Sequence, residues 1–315
     1  MTAMNGILNV YKEKGYTSHD VVAKLRRICG QKKIGHTGTL DPDAEGVLPV
    51  CLGTATKVCE LLTEKDKVYE AVLLLGKETD TQDSSGTVLR ESAQLPAKTE
   101  IEKAVLHYKG TYKQIPPMYS ALKVNGKKLC DLAREGIEVE RKAREVHIYE
   151  IEILWLRPPR AGLRVHCSKG TYIRTLCHDI GQELGCGACM DELLRTRTGI
   201  FALQDAWKLG QIEQLAKEMR LQDILLPVDQ LFCSYPRAEV KAQFHKMLQN
   251  GNRLPKQAMV TKQEADSADR LRVYIGELFY GIYAFDEARG DYRPVKIFGQ
   301  GSAADIQQKK RGSSA

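Results

Sequence analysis

Between Gly35 and Gly46 the chain reads Gly-His-Thr-Gly-Thr-Leu-Asp-Pro-Asp-Ala-Glu-Gly, and no other segment constrains the fold as strongly. Glycines, a histidine, an Asp-Pro step and two further acids crowded together suit a loop and not a core element. Pro42 disfavours the helical region for Asp41, so this carboxylate projects from an extended or turn conformation. The surrounding elements must therefore frame a stiff loop. A plain Asp-Pro turn accounts for the composition by itself, because Gly, Asp and Pro dominate turns for conformational reasons alone. Two metal readings fit poorly. Asp41 to Gly46 matches the opening of a calcium-binding loop, but the closing position is Leu52 where a bidentate glutamate is required. Cys186-Gly187-Ala188-Cys189 lacks a second pair, and Cys177-His178 lies on a helix whose apolar face claims Cys177. No metal is expected.

A chain of 315 residues exceeds what one core comfortably fills, so a large domain with a small companion is expected. Charged residues make up 28% and the formal charge is +7, which favours a polyanionic partner. No stretch approaches the roughly 20 apolar residues of a membrane span, and Met1 to Val10 lacks signal-peptide character. A cytoplasmic location, with the nine cysteines reduced, is the expectation. No dinucleotide fingerprint or phosphate-binding Walker loop occurs in a strand-turn-helix context.

Helices and strands interleave over the first two thirds, an α+β pattern. Thr17 and Asp20 form a capping box for a helix through Val21, Val22, Leu25 and Ile28 that stops at Gly30. Residues 67–75 read as a strand ending at Gly76, with Tyr69 near its start. Alternation predicts strands over 145–156 and 162–168, joined through Pro158-Pro159. Ile173, Leu176, Cys177, Ile180 and Leu184 then fall on one helix face, which places Arg174 in its first turn. A further helix is expected over about 208–220. Short strands such as 271–274 and 278–284, punctuated by Asn250-Gly251-Asn252 and Arg289-Gly290-Asp291, suit a small β-barrel after a boundary near 232. The tail 301–315 is expected to be disordered.

The run from Gly35 to Pro49 resembles the signature of the TruB family, the tRNA pseudouridine-55 synthases. Lys67-Val68-Tyr69 with Gly76, Thr79, Thr81, Asp83 and Gly86 is similar to the family's next block. Gln114 to Lys123, followed by Gly126 and Ala133-Arg134, resembles its RNA-binding segment. Ser168 to Arg174 and Leu193-Leu194-Arg195 complete the series, in order, from about residue 5 to 230. There are two departures. Tyr11-Lys12-Glu13-Lys14-Gly15 stands where the family usually has Lys-Pro before the glycine, and Cys130 replaces a frequent tyrosine.

The resemblance implies a catalytic domain over 1–232 on a mixed, largely antiparallel sheet with flanking helices, and a PUA-like RNA-binding barrel over 233–300. It implies isomerisation of the T-loop uridine of tRNA, flipped out of the loop, without cofactor or obligate protein partner, by a monomer. Asp41 becomes the catalytic carboxylate, Tyr69 the group that stacks on uracil and serves the C5 proton transfer, and Arg174 the partner of Asp41. Asp41 must then be ionised, and Arg174 is expected to keep its pKa low. His36, Leu193, Lys14, Tyr119 and Lys123 are implied substrate contacts. Read singly, Tyr69 is equally a half-buried strand tyrosine, Arg174 a surface or phosphate contact, Leu193 a core residue and His36 a structural loop histidine. Lys14, Lys32, Lys33, Lys123, Lys127, Lys128 and Lys169 are candidate phosphate ligands or solvated charges. An RNA-binding protein without catalysis, or a guide-RNA-dependent relative, stays open as an alternative.

Overall fold

The computed structural model describes residues 4–261 and 268–299. Eight strands carry the argument: β1 (Gly6–Lys12), β2 (Glu45–Leu52), β3 (Lys67–Leu75), β4 (Gly110–Gln114), β5 (Arg144–Arg157), β6 (Arg160–Cys167), β7 (Ala188–Thr198) and β8 (Trp207–Lys208). They form one sheet in the order β8-β1-β2-β7-β3-β6-β5-β4, to which Ile34–His36 and Phe201–Ala202 add short edges on β2 and β7. Only β8–β1 and β2–β7 run parallel, so the sheet is mixed and largely antiparallel as expected. On β3, Tyr69, Ala71, Leu73 and Leu75 are buried and alternate with half-exposed residues, the period-2 pattern of a strand with one face in the core.

Four helices flank the sheet: α1 (Ser18–Ile28), α2 (Lys98–His107), α3 (Ile173–Glu183) and α4 (Leu209–Lys217). The Thr17 side chain caps α1 by accepting from Asp20 N–H, and the Asp20 carboxylate accepts from Thr17 N–H, so the capping box forms as read. Val21, Val22 and Leu25 of α1 and Leu209 and Ile212 of α4 share one core with Leu48, Val50 and Leu52 of β2. Ile101, Ala104 and Val105 of α2 pack with Ile173, Leu176, Cys177 and Ile180 of α3 against β3, β5 and β6 in another. The hairpin β5–β6 is longer than the expected pair, closing at Arg157 and Arg160 around Pro158-Pro159.

A second sheet holds β9 (Arg237–Val240), β10 (Leu254–Pro255), β11 (Met259–Thr261), β12 (Arg270–Ile275), β13 (Leu278–Asp286) and β14 (Asp291–Ile297). Its order is β10-β14-β13-β12-β9-β11, and its edge strands are linked by a single 3-10 turn over Lys256–Ala258. Asn250-Gly251-Asn252 follows a short helix, His245–Gln249, and Arg289-Gly290 turns β13 into β14. Ile282 and Phe298 from this part share a core with Ile7, Val47, Cys51 and Phe201 of the first. The tail over 301–315 lies outside the described residues.

Gly46 shows how tightly the loop before β2 is seated. Its φ is +106°, and a Cβ there would stand 2.2 Å from the Arg195 carbonyl oxygen on β7. Gly15 has φ +85° but open space around a Cβ, so it carries backbone strain without the clash. Gly15→Ala is expected to cost about 1 kcal/mol, and Gly46→Ala at least about 2 kcal/mol more, in urea melts. Equal losses would mean that the clash is relieved without cost.

Candidate active site

The loop carrying Asp41 is held from several directions. Leu40 and Ala44 are 3% and 1% exposed and enter the core that contains Tyr69, so the three residues between them, Asp41 included, are anchored on both sides. Ala44 N–H donates to Asp41 C=O at 3.1 Å, closing a turn in which Pro42 takes the position that its fixed φ suits. Ser18 Oγ accepts from Leu40 N–H at 3.0 Å and donates to Leu40 C=O at 3.3 Å, tying the loop to α1. Gly15 N–H donates to Pro42 C=O at 2.9 Å. The Lys12 ammonium donates to the same carbonyl at 3.1 Å, to Tyr16 C=O at 2.5 Å and to Glu13 C=O at 3.2 Å. Lys12 is fully buried, and burial lowers its pKa to about 8. Sequence reasoning noted the segment as a family departure and gave Lys12 no role.

Arg174, second residue of α3, reaches Asp41 with Nε at 3.0 Å from Oδ2 and Nη2 at 3.4 Å from Oδ1, a two-pronged pairing. Its Nη2 also donates to Tyr119 C=O at 2.7 Å, and its Nη1 to Thr81 C=O at 3.1 Å and Asp83 Oδ2 at 3.4 Å. The guanidinium side chain is 6% exposed, while the Asp41 side chain is 40% exposed, so the pair is buried on the arginine side and open on the carboxylate side. Asp83 is a second carboxylate on the same cation. Its only sequence signal was its place in the block after Tyr69.

Arg174 was expected to hold the Asp41 pKa low. Instead the pKa is raised: burial is the larger influence, Arg174 works against it, and the nearby negative charge of Asp83 adds to the rise. The Arg174 charge is divided between two carboxylates, which weakens its hold on either one.

Tyr69 lies on β3 between Val165 of β6 and Arg195 of β7. Burial raises its phenol pKa, and the Arg195 charge and hydrogen bond oppose that rise. Leu193, on the same strand as Arg195, is half-buried against the core containing Tyr69. It also lines a cleft of about 330 Å³ with Tyr11, Lys14, Glu45, Glu70 and Trp155. Asp41, Tyr69 and Arg174 do not line this cleft; it adjoins them through Leu193 and Glu45. Tyr119 enters through its carbonyl, not its ring.

His36 and Lys123 stand apart from these residues. His36 Nδ1 faces Gly38 C=O at 3.2 Å and its ring meets His19 edge-on at 5.3 Å. Burial lowers its pKa, so the neutral imidazole is favoured. Lys123 is exposed on a two-strand hairpin with Lys127–Lys128. Of the other candidate lysines, Lys14, Lys32, Lys33 and Lys128 are exposed, whereas Lys127 pairs with Glu135 at 3.5 Å and Lys169 pairs with Glu64.

Residues 26–173 match the model for the TruB family pseudouridylate synthase N-terminal domain, and 174–232 match the tRNA pseudouridylate synthase B C-terminal domain. The chain belongs to the TruB family. The protein named tRNA pseudouridine synthase B of Lachnoclostridium phytofermentans is 53% identical, covering 94% of this chain and 100% of that one. Its namesake from Alkaliphilus oremlandii is 47% identical, covering 93% and 97%. Among solved structures, a Cbf5-Nop10-Gar1 complex matches with a TM-score of 0.68 at 26% identity, covering 93% of this chain and 85% of that one. The archaeal box H/ACA sRNP Nop10-Cbf5 complex matches with a TM-score of 0.67 at 25% identity, covering 93% and 86%. The large sheet with its helices is thus the pseudouridine synthase fold.

The contacts of Lys12 make a test of how the family member seats its loop. Lys12→Met keeps the volume and leaves the carbonyls of Glu13, Tyr16 and Pro42 without this donor. A loss of about 1–3 kcal/mol is expected in urea denaturation at pH 7. A variant as stable as the parent would show that removing a buried charge offsets the lost contacts.

Proposed function

We propose that the chain is a tRNA pseudouridine synthase that isomerises the uridine at position 55, in the T loop, with Asp41 as the reacting carboxylate. The observation that supports this most directly is the two-pronged Arg174–Asp41 pair beside Tyr69, inside the region matched by the family. The reaction breaks the bond from N1 to the sugar, turns the uracil and joins its C5 to the same sugar carbon. The C5 proton leaves and N1 gains one, so no net redox change occurs and no cofactor is required.

Asp41, as nucleophile or as base at the sugar, serves the stage at which positive character develops at the anomeric carbon. Arg174 fixes the orientation of the carboxylate, since both oxygens are engaged. Tyr69 stacks on the uracil and serves the C5 proton transfer. Leu193 walls the pocket beside it, and His36 supports the neighbouring RNA. Tyr119 contributes its carbonyl to Arg174 while its segment, with Lys14 and Lys123, meets the RNA backbone. A uridine inside a folded loop cannot present its glycosidic bond, so it is extruded at a cost of about a few kcal/mol, offset by phosphate and shape contacts. The chain divides at about 232 into this catalytic domain and a PUA-like RNA-binding part over 233–300. It works as a cytoplasmic monomer without guide RNA.

Purified protein incubated with unmodified tRNA should give pseudouridine at one T-loop position; none from a folded sample would overturn the reading. Product formed only with added guide RNA or accessory protein would favour the guide-dependent alternative. Asp41→Asn is expected to slow turnover by more than about a thousandfold with tRNA affinity within threefold, because the phosphate and shape contacts remain. Retained turnover would remove Asp41 from the chemistry.

The ionised form of Asp41 is the working one, so the rate falls as pH drops through its pKa. With that pKa raised, the acid limb should lie above the value near 4 of an ordinary aspartate. Arg174, Lys12, Asp83 and Asp43 are the charges that act on Asp41. Asp83→Asn removes one that pushes the pKa up. The acid limb of the rate–pH profile should therefore move to lower pH, even though Arg174 loses a partner and the plateau falls. Movement to higher pH would contradict the electrostatic account.

A further inference from the structure

Arg195 is 1% exposed and among the largest fully buried side chains of the molecule. Its backbone lies on β7 between Gly46 of β2 and Tyr69 of β3, at the centre of the sheet. Nε donates to Val47 C=O at 2.7 Å, just past the Asp41 loop, and Arg195 stands directly opposite Tyr69 in the β7–β3 register, where its charge favours the ionised phenol. A Cβ on Gly38 would lie 3.9 Å from its Nη1, which places the cation beneath that loop. Nη2 is buried and has no hydrogen-bond partner among the described residues.

This arrangement is costly. A buried cation normally meets a carboxylate and satisfies all its donors, as Arg174 does. Arg195 donates to a carbonyl and faces a phenol, and its charge also bears on Lys12, Lys67 and His36, each of which holds its proton less firmly for it. An apolar side chain would fill the space at lower cost if packing were the only requirement. A fixed cation without a resting counter-charge suits negative charge that develops during turnover, and the reacting group it faces is the Tyr69 hydroxyl.

We propose that Arg195 is a positioning residue for the isomerisation: it aims the Tyr69 hydroxyl, ties it to the Asp41 loop through Val47, and stabilises negative charge on the phenol oxygen as the C5 proton is transferred. This rests on the reading of Tyr69 given above. Neither the loop nor the phenol is then set independently. One side chain thus links β2, just past the Asp41 loop, to the strand position opposite Tyr69, while Arg174 orients the carboxylate itself.

The test compares the full-length protein with Arg195→Met, Arg195→Lys, Tyr69→Phe and the double variant Tyr69→Phe/Arg195→Met. Each is assayed for single-turnover rate on unmodified tRNA, for tRNA affinity and for Tm. Arg195→Met is expected to slow the single-turnover rate about a hundredfold with tRNA affinity within threefold. Arg195→Lys should recover to within about tenfold of the parent, because the charge is restored. In the Tyr69→Phe background, where the phenol oxygen is gone, Arg195→Met should cost less than about threefold. If Arg195→Met fails to fold, the same comparison is made with Arg195→Lys, whose loss should likewise vanish in that background. The inference is overturned by an Arg195→Met rate within threefold of the parent, by a loss of unchanged size in the Tyr69→Phe background, or by Lys and Met variants equally slow with matching falls in Tm. Full activity in Tyr69→Phe would sink the reading of Tyr69. A slow Tyr69→Phe beside a fast Arg195→Met would sink the role of Arg195 alone.

Discussion

A guanidinium that is 6% exposed must find partners for its N–H donors, and Arg174 finds them in three distant segments. Asp41 lies 133 residues away in sequence, the Thr81–Asp83 loop about 90, and Tyr119 lies 55. The pairing therefore exists only once these segments and α3 have assembled on the sheet, and each has little freedom to move without leaving a buried donor or acceptor unpaired. Because the arginine is buried and the Asp41 side chain is 40% exposed, geometry is fixed from the protein side while the carboxylate stays open to solvent. Arg174 orients Asp41 stiffly, yet burial, with the charge of Asp83 on the same cation adding to it, makes Asp41 hold its proton more firmly than an ordinary aspartate.

Burial acts on the whole site in one direction. The pKa of Asp41 rises, that of Tyr69 rises and that of Lys12 falls to about 8, so each group is pushed toward its neutral form. Around Lys12 and Tyr69 water contributes little to solvating charge, and fixed dipoles and cations must do so instead. Lys12 illustrates the exchange: three backbone carbonyls replace its hydration, and the contact to Pro42 ties the Asp41 loop to the segment that holds Glu13 and Tyr16. Stability given up in burying these groups is accompanied by a loop whose carboxylate is held in place.

Much of this was legible in the sequence, and what was not has a common cause. The capping box at Thr17, the strand at 67–75, the β5–β6 hairpin and the helix bearing Arg174 rest on local spacing, and they form as read. The helix over 98–107 and the strands over 6–12 and 188–198 were not read, since their periodicity is weak and the sheet pairs them with partners far away in sequence. The Asp41–Arg174 pairing came from the family signature, and the structure sets the two in contact. Lys12 and Asp83 were missed as site residues because their importance lies in long-range partners: a lysine among lysines and an aspartate in a polar loop carry no local mark. The direction of the Asp41 pKa was misjudged for a related reason, since sequence shows an arginine partner but neither its burial nor its second carboxylate.

The two buried arginines of the site resolve the same physical problem in opposite ways. Arg174 meets two carboxylates and two carbonyls, so its charge is compensated at rest and it serves mainly to hold geometry. Arg195 donates to a carbonyl and faces a phenol, and among the described residues its Nη2 has no partner and no carboxylate pairs with it, so its charge is uncompensated at rest. If both were compensated, the site would be more stable but would meet developing negative charge only by breaking existing pairs. If neither were, the carboxylate would not be oriented before RNA arrives. The compensated cation thus lies against the loop residue Asp41, and the uncompensated one faces the strand residue Tyr69 from the central strand β7, between β2 and β3.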